Sequence, residues 1–279
     1  MRSFLQRVAL GIRRHPIRII VESGVAFAAF WAVLDPIQSM LAIQMTGWSR
    51  FLSLVATAFI AGVLRATPVD SGSAPIAGST TRLSISYRDL FDERGVIAVP
   101  VNEYFDSALG PHVSPKSLHG QLITHIFGGD SAHFDAAVDA NLTSQPLEQI
   151  NRPSGRSRRF AVGTTAFLPT GRPSVLAFVL AHTDRDTLKA SADVPQMWSA
   201  LSGLWQAARI HCNETPLALP IVGGGLSGVG LSAQHLLSLI VMSASHETHR
   251  QRICADIHIC ISPHLRAETS IEAALQLLS

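Results

Sequence analysis

Charged residues and cysteines are scarce in this sequence, and both shortages narrow the functions open to it. Only 15% of the 279 residues are charged and the mean hydropathy is +0.26, which is apolar for a wholly soluble protein. The three cysteines, Cys212, Cys254 and Cys260, are too few and too close to the carboxyl terminus to form a disulfide framework. The carboxyl-terminal part is therefore expected in a reducing compartment.

The net charge of +2 hides a division between a basic amino-terminal part and an acidic remainder. Residues 1–82 contain eight arginines against three acidic residues, a net +5, whereas residues 83–279 contain fourteen Lys or Arg against seventeen Asp or Glu, a net −3. A nucleic-acid binder needs clustered positive charge to contact phosphates. The acidic remainder therefore argues against DNA or RNA as a partner.

Two apolar stretches, 19–34 and 51–64, follow the basic amino terminus. A helix needs roughly 20 apolar residues, or about 17 at the low end, to cross a bilayer. Both stretches reach that length only when flanking residues are counted. We predict a two-helix transmembrane hairpin over residues 19–66, preceded by a basic cytoplasmic segment, 1–18. A flexible linker rich in Pro, Gly, Ser and Thr, 67–82, would follow it.

The arginine bias predicts the orientation of this hairpin. Positively charged residues stay on the cytoplasmic side, so the amino terminus and, after two crossings, residues 83–279 are both expected in the cytoplasm. The motifs Ala58-x-x-x-Gly62 and Gly24-x-x-x-Ala28 would let the helices approach closely. A signal peptide, a transit peptide and the core helices of a soluble protein remain open as alternatives.

From Leu83 onward, short apolar runs rich in β-branched residues alternate with helical patterns, which is typical of an α/β fold. We predict a three-layer α/β sandwich around a mixed six-stranded sheet. The strands are expected at Leu83–Tyr87, Val96–Val101, Arg159–Gly163, Val175–Ala181, Leu217–Val222 and Asp256–Ile261. The link from Gly163 to Val175 is too short for a helical crossover, so those two strands are expected to pair antiparallel. Helices are predicted from Ser114-Pro115 to Phe127, from Pro195, and after the cap residue Ser232.

The strongest local signal is a glycine-dense loop between a strand and a helix, Gly223-Gly-Gly-Leu-Ser-Gly228. Glycines allow close backbone approach, and amides that converge near a helix amino terminus bind anions. The loop matches the spacing of a Rossmann fingerprint, but no acidic residue ends the following strand to hold a ribose. Val229-Gly230 stands where a Walker A loop needs Lys-Ser or Lys-Thr, and Val229 where a nucleophile elbow needs Gly. A phosphate cradle is favoured, and an inert turn remains possible.

A second polar cluster begins where the second predicted strand ends, at Asn102-Glu-Tyr-Phe-Asp106, and continues in Ser117-Leu-His-Gly-Gln121. Ligands of open α/β sheets bind beyond the carboxyl ends of the strands, so this cluster and the glycine loop could face one crevice. Asn102 could equally be an ordinary turn residue.

These segments together resemble a divergent macro domain of the membrane-linked effector of bacterial Thoeris anti-phage systems. The resemblance covers about residues 83–262 and rests on Tyr87–Asp92, Val99–Asp106, Ser117–Gln121, Val162–Thr165 and Gly223–Leu231. It departs from ordinary macro domains because Asn102 is followed by Glu103-Tyr104-Phe105 instead of an Asn-Ala-Ala-Asn run. This departure favours sensing over removal of ADP-ribose.

The resemblance implies a site for an ADP-ribose derivative. It places Asp89 at the adenine amino group, Asn102 at the distal ribose and the glycine loop at the pyrophosphate. The implied ligand-binding residues are Asp89, Asn102, Ser117, His119, Gly120, Gly223, Gly224, Gly225, Leu226, Ser227 and Gly228.

The resemblance also implies a biological setting. A TIR-domain partner would consume NAD and release an ADP-ribose signal, joined in relatives to an amino acid. The effector would bind it, form a homo-oligomer and disrupt the bacterial inner membrane as a multi-pass protein. No catalytic residue, cofactor or metal ligand is expected. A membrane-tethered ADP-ribose hydrolase, with Asn102 positioning water, and a passive scaffold are the alternatives.

Two further groups of polar residues offer side chains that could bind a metal or an anion. His258 and Cys260 share one face of the last predicted strand, but a zinc site needs four ligands and no familiar spacing occurs around them. Arg156, Arg158 and Arg159 are expected on a solvated loop, from which one could clamp an anionic ligand.

Overall fold

The chain divides into two compact units, residues 1–69 and 70–279. The computed structural model describes residues 8–9, 11–12, 16–41, 47–67, 69–110, 112–142, 146–152, 154–184, 190–225 and 228–278.

The first unit contains two long helices, α1 (Pro16–Leu41) and α2 (Trp48–Ala66). Among the described residues one helix, over Pro16–Leu34, is long and apolar enough to cross a membrane, with a mean hydropathy of 1.8. The apolar part of α2, Phe51–Arg65, is shorter. Large apolar side chains such as Ile20 and Phe59 are exposed on these helices.

The two helices pack closely where small residues meet. A Cβ on Gly62 would lie 2.1 Å from Ser23 Oγ and 2.9 Å from the Ile19 carbonyl oxygen, so only glycine fits there. Ala58, one turn earlier, is buried. On α1, by contrast, a Cβ on Gly24 would meet no atom of the described residues within 4 Å, so the described contact does not use the Gly24 motif. Arg65 Nη1 lies 3.3 Å from Glu22 Oε2 and partly neutralises that carboxylate.

The second unit is built on a mixed β-sheet. Its strands are β1 (Ser71–Pro75), β2 (Arg82–Tyr87), β3 (Val96–Asn102), β4 (Glu148–Gln149), β5 (Arg158–Arg159), β6 (Thr165–Leu168), β7 (Ser174–Thr183), β8 (Ala190–Ser191), β9 (Leu217–Pro220) and β10 (Asp256–Ile261). The main sheet runs β1-β2-β10-β9-β3-β7-β6. Its five central strands, β2 to β7 in this order, are parallel; β1 and β6 close the edges antiparallel, and β8 pairs with the end of β7.

Helices cover both faces of this sheet. They are α3 (Leu118–Ile126), α4 (Ser131–Asn141), α5 (Val194–His211), α6 (Ala233–Arg250) and α7 (Ile271–Leu275). Trp205 of α5 and Leu236 of α6 lie in one hydrophobic core, and Leu122 of α3 and Phe134 of α4 lie in the other. The structure therefore confirms the three-layer α/β sandwich with a mixed sheet.

The sheet has eight strands where the sequence predicts six, because β1 and the two-residue β8 carry little sequence signal. Strand β1 lies inside the segment 67–82 that composition indicated as a flexible linker. It is held by backbone pairing to β2, as between Gly72 and Ile85, and a Cβ on Gly72 would lie 2.7 Å from Leu275 Cδ1 of α7. Small residues are needed here for packing, so the composition resembles that of a linker.

The antiparallel partner of β7 was predicted at Arg159–Gly163 and is found at β6, within the supposed link. Of the predicted strand only Arg159 lies in a ladder, because β5 consists of Arg158 and Arg159 and pairs with β4 in a separate two-stranded sheet. Phe160 instead donates its amide to the Glu103 carbonyl at 2.8 Å. The prediction of an antiparallel neighbour was right and its position was wrong.

Helix α3 begins at Leu118 and not after Ser114. Ser117 is its cap, because Ser117 Oγ accepts the Gly120 amide at 3.0 Å. Residues 115 and 116 form a turn before the helix. The other two predicted starts agree with the structure: Pro195 lies in the first turn of α5, and Ser232 caps α6.

Candidate functional site

The carboxyl ends of the five parallel strands define one edge of the sheet, and the polar loops singled out from the sequence follow three of them. Asp89 comes after β2, the glycine loop after β9, and Asn102 ends β3. Because parallel strands end on the same side, these segments lie along one edge. This is where a ligand of an open α/β sheet is expected.

Asp89 is exposed and begins a single 3-10 turn, Leu90–Asp92. One carboxylate oxygen, Oδ1, accepts the Phe91 amide at 2.9 Å. This hydrogen bond fixes the direction of the side chain at the end of β2. An oriented, exposed carboxylate is suited to accept a hydrogen bond from an amino group of a ligand.

Backbone hydrogen bonds within the glycine loop fix its conformation. Gly223 has φ +86°, and its carbonyl accepts the Val229 amide at 3.0 Å, while the Gly228 amide donates to the Gly225 carbonyl at 3.1 Å. A Cβ on Gly223 would lie 2.7 Å from Val229 Cγ2. Gly224, Gly225 and Gly228 are exposed, whereas Leu226 and Ser227, which were also predicted to bind ligand, lie outside the described residues.

Asn102 is buried and its side chain is engaged within its own loop. Its Nδ2 donates to Asp106 Oδ2 at 2.9 Å, and its Oδ1 accepts the amides of Tyr104 and Asp106 at 3.3 and 3.0 Å. In this structure Asn102 therefore acts as an ordinary turn residue that stabilises its own loop. A direct bond from Asn102 to a ribose would require these contacts to be exchanged.

The loop after β3 is anchored by a buried ion pair that the sequence did not reveal. Asp106 is fully buried and accepts hydrogen bonds from Arg152 Nη1 at 3.0 Å and from the Arg156 amide at 2.8 Å. The Arg152 guanidinium also stacks 3.9 Å from the centre of the Tyr104 ring. Arg152 lies 46 residues from Asp106, so no local spacing could have indicated the pair.

The three arginines considered as a possible anion clamp are already paired with carboxylates of this chain. Arg156 contacts Asp135 and Asp139, and Arg158 contacts Asp139. Arg159 contacts Glu148 at 3.0 Å. Their positive charge is therefore compensated within the protein.

Glu103, next to Asn102, was not predicted as a site residue and is also buried. Its Oε2 lies 2.6 Å from His182 Nδ1, and its Oε1 accepts the Thr183 amide at 3.0 Å. These contacts tie the loop after β3 to the end of β7. The pair brings a half-exposed imidazole to the same edge.

Three of the predicted ligand-binding residues lie at the start of α3: Ser117, His119 and Gly120. A Cβ on Gly120 would lie 2.2 Å from the Ser114 carbonyl oxygen, so glycine is required for the turn to fold back on the helix. His119 is buried, and its Nε2 has no hydrogen-bond partner among the described residues. Burial lowers the pKa of His119 to about 4, opposed by the nearby Asp106 carboxylate.

The pKa of His119 makes the folded state sensitive to acid. Because the folded pKa lies below the ordinary value of 6.5, the stability that depends on neutral His119 is present above pH 6.5 and lost as pH falls toward about 4. We expect His119→Leu to flatten this part of a pH profile of unfolding free energy. His125→Leu, at an exposed position of the same helix, is the control. An unchanged profile in His119→Leu would contradict this prediction.

An open groove of about 560 Å³ lies elsewhere, beside the turn before β2 and the end of α6. It is lined by Gly78, Ser79, Thr80, Thr248, His249, Gln251 and Arg252. The turn precedes the amino end of β2, so this groove is separate from the carboxyl-end loops. The polar residues predicted from sequence do not line it.

Comparison with known proteins supplies the family. A family model described as "Thoeris protein ThsA, Macro domain" matches residues 83–262. No curated protein is similar enough to this chain to count as a match. Among solved structures, the Oceanobacillus iheyensis macrodomain with ADP has 10% identity and a TM-score of 0.45, covering 75% of this chain and 96% of its own. The Trypanosoma brucei macrodomain in complex with ADP-ribose has 10% identity and a TM-score of 0.42, covering 70% of this chain and 67% of its own.

Proposed function

Because this chain belongs to the Thoeris ThsA macro-domain family, we propose that its second unit binds an ADP-ribose derivative and that the whole chain is a membrane effector. The observation that carries the proposal is the arrangement of Asp89, the loop after β3 and the glycine loop along one edge of the parallel sheet. An extended nucleotide has an amino group, a pyrophosphate and two riboses, and these loops offer groups for each of them.

The proposed contacts follow from the chemistry of each loop. The Asp89 carboxylate accepts from the adenine amino group, as its orientation allows. The backbone of the loop from Gly223 to Gly228, including Gly224, Gly225, Leu226 and Ser227, surrounds the pyrophosphate ahead of the amino terminus of α6. Asn102 and the start of α3, with Ser117, His119 and Gly120, lie toward the distal ribose.

The arginines of the 152–159 segment offer such a ligand little free positive charge. The arginines of the 152–159 segment that are nearest to the loop after β3 are bound to Asp106, Asp135 and Asp139. Recognition would therefore depend on directed backbone amides. Such amides bind a diphosphate of one fixed geometry and do not favour polyanions in general.

We propose that this unit senses its ligand and does not turn it over. Asn102, which an ADP-ribose hydrolase would use to position water, is bound to Asp106 and to two backbone amides. The Glu103–His182 pair is the feature that favours the alternative, a membrane-tethered ADP-ribose hydrolase. The Glu103 carboxylate orients the His182 imidazole, which could then act as a general base.

The first unit would convert binding into an effect on the membrane. We propose that α1 and α2 form a transmembrane hairpin in the bacterial inner membrane, with the amino terminus and the second unit in the cytoplasm. A TIR-domain partner would supply the ADP-ribose signal from NAD, and the liganded chains would form a homo-oligomer. A ligand shifts such an equilibrium only by its preference for the assembled state, and a shift from 1:99 to 99:1 requires about 5.5 kcal/mol.

Calorimetric titration of the full chain in detergent micelles with ADP-ribose tests the binding. We expect saturable binding at one site per chain and no change of the nucleotide during incubation. Absence of binding would refute the proposal and favour a passive scaffold. Release of ADP-ribose from ADP-ribosylated protein would establish the hydrolase instead.

Replacing Gly62 with Val tests the hairpin. The side chain would collide with Ser23 and Ile19 of α1, at a cost of about 1–3 kcal/mol for overpacking. We expect loss of membrane depolarisation in cells that contain a TIR partner and are infected by phage, with unchanged affinity for ADP-ribose. Gly24→Val is the matched control because a Cβ there has no neighbour within 4 Å in the part of the chain that the structure describes. Depolarisation by both variants at the wild-type level would argue against a role for helix packing.

A further inference from the structure

Three potential metal ligands from distant parts of the sequence meet on the α3 and α4 side of the sheet. Glu93 follows the 3-10 turn after β2, and His258 and Cys260 lie on the same face of β10. Their ligand atoms all lie within 4.8 Å of one another. Glu93 is 167 residues away from Cys260 in the sequence, so spacing could not reveal the cluster.

The distances within the cluster suit a small tetrahedral ion. Glu93 Oε1 lies 2.9 Å from His258 Nδ1 and 3.7 Å from Cys260 Sγ. Zinc bonds of about 2.0–2.3 Å at tetrahedral angles separate the ligand atoms by roughly 3.3–3.7 Å. The Glu93–Cys260 distance already falls in this range, and the Glu93–His258 distance is about 0.4 Å shorter than it.

The surroundings of His258 support the same use. Its Nε2 lies 2.8 Å from Ser86 Oγ, which leaves Nδ1 directed at Glu93. A metal-bound histidine commonly makes such a second hydrogen bond, which fixes the ring. Cys260 is buried, whereas Glu93 and His258 are each 17% exposed, so an ion could enter from their side.

One contact opposes a cation. Arg88 Nη1 lies 3.0 Å from the same Glu93 oxygen, and its side chain is 46% exposed. Without a metal, Arg88, Glu93, His258 and Ser86 form a satisfied chain of polar contacts. A metal would have to displace Arg88, which can move into solvent because of its exposure.

We propose that Glu93, His258 and Cys260 bind one zinc ion, with a fourth position open to water. A thiolate, an imidazole and a carboxylate are the ligands that zinc prefers in proteins. Binding releases the Cys260 thiol proton to solvent, and the ion ties the turn that carries Asp89 to β10. None of the three ligands is among the proposed nucleotide contacts, so the site goes beyond them.

Metal analysis of the full chain in detergent micelles, after equilibration with zinc and removal of excess, tests this site. We expect one zinc per chain, lost in Glu93→Gln, His258→Asn and Cys260→Ser. Cys254→Ser is the matched control because it removes another buried thiol outside the cluster. Ser86→Ala should weaken zinc binding by about 10- to 100-fold, and Arg88→Ala should strengthen it.

Cobalt substitution in the wild-type chain tests the ligands without relying on variants that could fail to fold. Cobalt in the wild-type chain should give thiolate-to-metal charge-transfer and tetrahedral absorption bands, which report the ligands directly. These bands should persist in Cys254→Ser. A wild-type chain without stoichiometric zinc, or cobalt bound without thiolate bands, would overturn the proposal.

Discussion

Replacing Gly225 with Val should weaken ADP-ribose binding by about 10- to 100-fold. This loss corresponds to roughly 1–3 kcal/mol of overpacking between the valine and the ligand. Among the described residues, no atom lies within 4 Å of a Cβ built at Gly225, and its backbone is not in the left-handed region. The valine side chain would therefore occupy the space proposed for the pyrophosphate without disturbing the fold. Calorimetric titration with ADP-ribose measures the loss.

A graded series separates exclusion of the ligand from damage to the protein. Gly225→Ala adds one methyl group and should have a smaller effect than Gly225→Val. The free energy of unfolding should be the same in both variants and in the wild type, because the position is exposed. Wild-type affinity in Gly225→Val would remove the glycine loop from the site.

Replacing Asp106 with Ala should destabilise the second unit by about 3–5 kcal/mol, or roughly 6–20 °C in Tm for a domain of this size. Asp106 is fully buried, and the Arg152 side chain that it contacts is 5% exposed. Removal of the carboxylate leaves a buried guanidinium without a counter-ion and frees the Asn102 amide. Thermal unfolding followed by circular dichroism in detergent measures the change.

The exposed ion pair between Glu214 and Arg252 provides the comparison. Its side chains are 73% and 41% exposed and 3.4 Å apart, so Glu214→Ala should cost less than about 1 kcal/mol. Equal effects of Asp106→Ala and Glu214→Ala would mean that the buried pair does not anchor the loop after β3.

Sequence patterns predicted the structure correctly where interactions between neighbouring residues determine it. Strand β10 has both of its predicted bounds, Asp256 and Ile261, because its alternate isoleucines pack into one core. Ser232 caps α6 because a serine hydroxyl can accept a free amide at the first helical turn. The macro-domain resemblance, drawn from several short motifs, agrees with the family match over residues 83–262.

Features that depend on distant partners were missed or misplaced. Strand β1 consists of small residues whose ladder bonds are made by the backbone alone, so its composition indicated a linker. The direction of the Asn102 side chain is set by Asp106, which is itself held by Arg152 from another loop. Neither side chain has a local pattern that indicates its partner.

The amino-acid sequence alone determined the apolar amino-terminal part, the α/β class and the loops at the carboxyl ends of the strands, because periodicity, capping and glycine content act over a few residues. Only the tertiary structure decided which side chains meet there. It paired Asp106 with Arg152, closed Asn102 onto its own loop and brought Glu93 to His258 and Cys260. The physical reason is that sheet order, which sets these encounters, depends on the packing of the whole chain.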